Sequence, residues 1–158
     1  MLNDLDRKVI QCLQEDLPVV KEPFKEIAKN LKVDEERLLT KINGYIKEGI
    51  IRRFGATLNH RLLGFKANAL VVWRVPKERI QAIGSLMASI NEVSHCYERA
   101  TTSCWNYNLF TMIHARSKRV CEGIIRDISE KIKIKDYKII YSIKEFKKSP
   151  MKYWTTFE

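Results

Sequence analysis

The sequence predicts an α+β fold in two parts, an N-terminal winged helix-turn-helix followed by a ferredoxin-like sandwich of β-α-β-β-α-β order. Three observations carry that prediction. Through Ile46 the apolar residues recur at three- and four-residue steps, the period of a helix surface. From Ala67 onward short apolar or alternating runs, the mark of strands, are interleaved with two further helical stretches. Hydrophobic residues make up 45% of the 158, enough to offset chain entropy, which excludes disorder by composition. This length suits one ordinary domain or two small ones, and a boundary after Gly64 divides the chain into residues 1–64 and 65–158.

In the first part, Leu2, Leu5, Val9, Ile10, Leu13 and Leu17 line one side of a helix that Asn3 or Asp4 can cap and that ends near Pro18. After Pro23 a shorter helix follows from Phe24, Ile27, Ala28 and Leu31. Val33 and Asp34 open a third, with Leu38, Leu39, Ile42 and Ile46 on its apolar side and Gly49 as its stop. The tight connection from Lys32 to Asp34, with Ile50 to Phe54 reading as a short strand behind the third helix, completes the winged pattern.

In the second part, Ala67 to Val75 reads as a buried strand, and Pro76 starts a helix with Ile80, Ile83, Leu86, Met87 and Ile90 as its apolar positions. Val93 to Ala100 and Trp105 to His114 are strands on either side of the polar turn Thr101, Thr102, Ser103. Lys118 to Ile132 is a helix, and Tyr137 to Phe146 is a last strand in which Ile139, Tyr141 and Ile143 alternate.

The formal charge is +10, and its distribution is uneven: 12 basic and 10 acidic residues precede residue 65, against 17 and 9 after it. A basic surface attracts polyanions, and a phosphate backbone or a small polycarboxylate would both answer it. The longest apolar run, Ala69 to Trp73, is far too short for a bilayer, so no membrane partner is expected. The opening Met-Leu-Asn-Asp-Leu-Asp carries acid where a secretory signal needs base, and the expectation is a cytoplasmic protein. Cys12, Cys96, Cys104 and Cys121 form no C-x-x-C pair, which points to free buried thiols rather than a zinc knuckle or covalent haem. With no G-x-G-x-x-G, P-loop or G-x-S-x-G, nucleotide and acyl-enzyme chemistry lack support.

A helix-turn-helix reads DNA with the start of its last helix. Here that start is Asp34, Glu35, Glu36 and Arg37, and the stretch Asp34 to Glu48 holds three bases against four acids. A net-acidic helix end opposes a negatively charged groove, although a carboxylate can accept from a cytosine amino group. Scaffold is therefore preferred over DNA readout for these helices.

The densest chemistry lies in two neighbouring strands. Alternation puts His95, Tyr97 and Arg99 on one face, and a turn about Thr102 pairs His95 with Leu109, Tyr97 with Tyr107 and Arg99 with Trp105. Rings of Trp105 and Tyr107 beside the Arg99 guanidinium would hold a flat aromatic ligand bearing carboxylates. The same parity assigns His114 and Cys96 to the other face with Phe110 and Met112, where His114 reads as a strand-end core histidine or a second catalytic group. His95, flanked by a phenol and a cation, suits an acid, an anion-binding group or an iron ligand. Arg52 and Arg53 read either as a wing salt-bridged to the helices or as carboxylate-capturing groups at the seam between the two parts.

Over its whole length the chain resembles the Lrp/AsnC architecture, and more closely the siroheme decarboxylases. The resemblance rests on Ile51-Arg52-Arg53-Phe54-Gly55-Ala56, Leu58-Asn59-His60-Arg61 and Leu63-Gly64-Phe65-Lys66-Ala67-Asn68-Ala69, and equally on Val93-Ser94-His95-Cys96-Tyr97-Glu98-Arg99 and Trp105-Asn106-Tyr107-Asn108-Leu109-Phe110-Thr111-Met112-Ile113-His114. Asn106 departs from the proline of the family's W-P-Y-N-L-F-T-M form.

That resemblance implies a subunit of a heterodimer of paralogous chains which removes carbon dioxide from two acetate side chains of siroheme, giving didecarboxysiroheme on an alternative route to haem or to haem d1. It implies an inherited helix-turn-helix scaffold and no cofactor beyond the iron of the substrate. His95 would act as proton donor or iron ligand, with Tyr97 and His114 as further catalytic candidates and Arg52, Arg53, Arg99, Trp105 and Tyr107 binding the substrate. The rival readings are a DNA-binding regulator of Lrp/AsnC type and a haem or siroheme sensor that binds without reacting.

Overall fold

Asn3 and Asp6 start the first helix, α1 (Asp4–Gln14), by exchanging hydrogen bonds in a capping box: each side chain accepts from the other's backbone N–H, at 2.9 and 2.8 Å. The computed structural model describes residues 2–154. Asp6 is buried, and its second oxygen accepts from Lys41 Nζ at 2.6 Å and from the Tyr45 hydroxyl, both on the third helix. Those two donors hold its carboxyl down at about 2, while burial pushes the Tyr45 hydroxyl up. Between α2 (Pro23–Leu31) and α3 (Glu35–Lys47), Lys32 adopts a left-handed conformation at φ 56°, and Asp34 caps α3 by accepting from Arg37 N at 2.7 Å. Val9, Ile27, Ala28, Leu38, Ile42 and Tyr45 form the core of this helical unit.

Ile50 to Phe54, expected as a short strand, pair with no other strand. Ile51 instead closes α3, donating its N–H to Tyr45 O at 3.1 Å and packing its side chain on the helical core. A β-rich pentapeptide becomes a strand only where a neighbouring backbone can bond it, and apolar burial here leaves the segment as an extended connector.

The remaining elements are β1 (Ala67–Trp73), a 3-10 turn at Lys77–Arg79, α4 (Ile80–Ala88), β2 (Val93–Glu98), β3 (Leu109–Ala115), α5 (Lys118–Ile132) and β4 (Tyr137–Tyr141). The sheet is antiparallel in the order β2-β3-β1-β4, the ferredoxin-like arrangement. Ala69, Val71, Trp73, Leu109 and Ile113 meet Ile83 and Met87 of α4 and Cys121, Ile125, Ile128 and Ile132 of α5, so both helices cover one face of the sheet. Inside that layer the Trp73 indole N–H donates to Thr111 Oγ1 at 2.9 Å, which satisfies the one polar side chain of the strand core. The last strand stops at Tyr141, opposite Ala69, rather than at Phe146.

By packing, the residues divide into two units, one running through Thr57 and resuming at Lys147, the other Leu58–Phe146. Residues 147–154, which the sequence groups with the second part, belong with the helices: Lys152 pairs with Glu15 at 2.7 Å, and Gln14 accepts from Tyr153 N at 2.6 Å. Residues 58–64 join the sheet unit through the Asn59-capped turn whose Phe65 N donates to His60 O. Residues 155–158 of the expected 65–158 part lie outside the described residues. Among the described residues no helix is long and apolar enough to cross a membrane, and all four cysteines are free, with Cys121 buried, Cys12 and Cys96 half-buried and Cys104 exposed.

Candidate functional site

The face of the sheet opposite the helices carries Asn68, Leu70 and Val72 of β1, Phe110, Met112 and His114 of β3, His95 and Tyr97 of β2, and Lys138 and Ile140 of β4. One irregularity puts His95 there. Val93 pairs with Ile113 and His95 with the very next residue, Met112, so Ser94 is an extra residue in β2, a β-bulge. Strict alternation from the buried Val93 would turn His95 inward and Cys96 outward. With the bulge, Cys96 packs on the core and His95 and Tyr97 face out.

The register differs from the sequence expectation, and the difference matters. His95 sits opposite Met112, not Leu109, and Tyr97 opposite Phe110, not Tyr107. An odd shift of three residues exchanges the faces of β3, so His114, Phe110 and Met112 lie on the same face as His95, not across the sheet from it. The cause is a longer connection than a turn about Thr102. Thr102 and Trp105 bond each other as an isolated bridge, and Asn108 then fastens the chain to the end of β1. Its side chain accepts from Val75 N at 2.9 Å and donates to Val75 O at 2.8 Å, substituting for a further rung of ladder. Asn106 lies within this connection, ahead of the strand's start at Leu109.

As a result, all three histidines of the chain gather at one end of the open face. Ser94 Oγ lies 2.9 Å from His95 Nδ1 and 2.8 Å from His114 Nε2, and the His60 ring meets the His114 ring edge-on at 5.5 Å. The Tyr97 ring lies 6.1 Å from that of His95. Arg99 lies 5.7 Å from the centroids of both Tyr97 and Phe110, within cation–π range, rather than beside Trp105. Tyr97 is 51% exposed, so half of its ring is available to a ligand.

Trp105 and Tyr107 form a second aromatic group. Their rings meet at 5.1 Å with Lys138 Nζ 5.9 and 5.4 Å from the two centroids. Desolvation, and the Asp136 carboxylate that accepts from its hydroxyl at 3.1 Å, push the Tyr107 phenol up. The single ring-and-guanidinium surface expected from the sequence is thus two clusters, Arg99 with Tyr97 and Phe110, and Lys138 with Trp105 and Tyr107.

Arg52 and Arg53 lie in the other unit, exposed on the extended connector, and neither forms an ion pair among the described residues. His60 and Ser94, unassigned by sequence reasoning, join the site. A spacing signal for Ser94 existed in principle, since two core-type residues three apart, Val93 and Cys96, cannot share a face of a regular strand. Among the described residues no group of three or more His, Cys, Asp or Glu side chains is arranged to hold a metal ion by itself. The arrangement can instead stack a flat ring, pair carboxylates with Arg99 and Lys138, and present imidazole protons.

A family model described as an AsnC-like ligand binding domain matches residues 62–147, and one described as a siroheme decarboxylase NirDL-like HTH domain matches residues 6–52. The siroheme decarboxylase beta subunit of Methanosarcina barkeri is 40% identical over 148 residues, covering 94% of this chain and 97% of that one. The siroheme decarboxylase of Hydrogenobacter thermophilus is 36% identical over 98% of this chain, which spans 46% of that protein's length. The crystal structure of the siroheme decarboxylase NirDL aligns with a TM-score of 0.70 at 34% identity, over 98% of this chain and 48% of that one. A second NirDL structure, with a TM-score of 0.69, is a complex with an iron-uroporphyrin III analogue. Escherichia coli AsnC, at 16% identity and a TM-score of 0.79, shares the fold.

Proposed function

The chain belongs to the siroheme decarboxylase family, and from that membership we propose that it is a catalytic subunit which removes carbon dioxide from two ring acetates of siroheme, working beside a paralogous partner subunit. The observation that carries the reading is the gathering of three imidazoles, Tyr97, Phe110 and Arg99 on one open sheet face. Siroheme is planar, aromatic in part and rich in carboxylates, and this face offers rings to its plane and cations to its rim. The iron arrives with the substrate, and the chemistry needs no further cofactor.

Breaking the bond between a ring methylene and its carboxylate leaves an electron pair on the methylene carbon, which the conjugated macrocycle shares until a proton arrives. Each cycle therefore releases one carbon dioxide and consumes one proton. Arg99 pairs with a carboxylate that stays, and the apolar Leu70, Met112 and Ile140 leave the departing one poorly solvated. His95 delivers the proton, with Tyr97 as helper and His114 behind it. An alternative for His95 is ligation of the siroheme iron by its outward nitrogen. Arg52 and Arg53, the other carboxylate partners nominated from the sequence, are exposed cations of the helical unit.

The regulator reading is disfavoured by the acidic start of α3, where Asp34, Glu35 and Glu36 would meet DNA phosphates. The test is to incubate the full chain, alone and with its partner subunit, with siroheme under anaerobic conditions and to weigh the tetrapyrrole. Loss of two carbon dioxide masses supports the proposal. Unchanged mass in both incubations overturns it, and a spectral shift without mass loss selects the sensor.

A further inference from the structure

Resting on the decarboxylase reading of this face, we propose that Ser94 is a positioning residue that couples His95 to His114 in a proton relay and sets which nitrogen of the His95 ring carries the proton. Ser94 is the one residue in β2 that the ladder does not require, and the bulge that contains it aims its hydroxyl between two imidazoles. Its oxygen lies 2.9 Å from His95 Nδ1, 2.8 Å from His114 Nε2 and 3.3 Å from the Met112 carbonyl. A hydroxyl has one proton to donate, so it donates to one ring and accepts from the other, or donates to the Met112 carbonyl and accepts from both rings.

Two states of His95 follow. When Ser94 donates to His95 Nδ1, a neutral His95 carries its proton on Nε2, and His114 Nε2–H donates to Ser94. His95 is then an acid. When the hydroxyl turns to donate to His114 Nε2 or to the Met112 carbonyl, a neutral His95 donates from Nδ1 and its Nε2 is bare, a base or an iron ligand. Rotation of one hydroxyl chooses between the two roles open to His95.

The same geometry reloads the acid. As His95 Nε2–H passes its proton to the methylene carbon, the Ser94 proton moves to Nδ1, and His114 in its imidazolium form refills Ser94 from Nε2. One proton has gone from His114 to carbon, no electrons have been exchanged with the protein, and His95 is left as its other tautomer. A macrocycle lying on the face covers Nε2 and leaves the Ser94 side as the edge through which the ring is supplied. Product release uncovers Nε2, which takes one proton from solvent, and the Nδ1 proton then returns through Ser94 to His114 Nε2, restoring both rings. His60, with its ring 5.5 Å from that of His114, is the next titratable group along the line.

The experiment compares wild type, Ser94→Ala and Ser94→Thr in the full chain with its partner subunit. It reads the ring nitrogen-15 resonances of His95 and His114 without siroheme, and then kcat and KM for siroheme. Ser94→Ala should lower kcat roughly tenfold to a hundredfold with KM changed by less than about twofold, and should shift the His95 ring resonances. Ser94→Thr, which keeps the hydroxyl, should restore both. Wild-type kcat in Ser94→Ala overturns the relay, and unmoved ring resonances overturn the coupling. A wild-type complex that leaves siroheme unchanged defeats the decarboxylase reading instead. The resonances then still decide whether Ser94 sets the His95 tautomer.

Discussion

Because Ser94 is one residue more than β3 opposes, Val93 and Cys96 both reach the core while His95 and Tyr97 stand on the other face, beside Phe110 and His114. Loss of neighbouring side chains should therefore have unequal consequences. His95→Ala should lower kcat by about a hundredfold to ten-thousandfold, the usual worth of a positioned acid, while the ring still binds. Arg99→Ala removes a carboxylate partner, so siroheme KM should rise roughly tenfold with a smaller change in kcat, measured by steady-state turnover under anaerobic conditions. Equal loss of kcat in both variants would mean that the two residues do not divide acid and anchor between them.

Asp6 joins α1 to α3, and its folded carboxyl, held at about 2 against 3.8 in the unfolded chain, contributes stability that is fully present above about pH 4. That contribution is lost as the pH falls toward about 2, so thermal melts of the helical unit should drop over this window. Asp6→Asn should cost about 1.5–3 kcal/mol at neutral pH and flatten the acid dependence, because the Lys41 and Tyr45 donors lose a charged acceptor. Asn108→Ala should destabilise the sheet unit by about 1–3 kcal/mol in urea titrations, since it strips both side-chain bonds from Val75.

Most elements were legible in the sequence because each has local causes: Asn3 and Asp34 as caps, Gly49 after α3, apolar periods on five helices, alternation in β4. What was not legible depends on partners distant in sequence. The pairing of β2 with β3 is set by how Asn108 holds the end of β1, and the Ile50–Phe54 segment lacks a strand neighbour. The composition of the site was therefore readable, with His95, Tyr97 and Arg99 on one face, but not its membership. An odd register shift moved His114 into it and gave Trp105 and Tyr107 to Lys138.

For the whole molecule, the charge of +10 and the acidic start of the third helix pull in opposite directions, as expected if the basic residues serve a polycarboxylate substrate rather than DNA. Fluorescence anisotropy with duplex DNA should show only weak binding that falls steeply with added salt and does not distinguish sequences. A tight, sequence-selective complex at physiological salt would return the helix-turn-helix to a reading role. The central claim, that the open sheet face holds siroheme while His95 supplies the proton, is tested most directly by anaerobic single turnover of wild type and His95→Ala with the partner subunit present, following both the tetrapyrrole spectrum and its mass. Both should bind the macrocycle, and only wild type should lose carbon dioxide at full rate. Equal rates in the two proteins would contradict it.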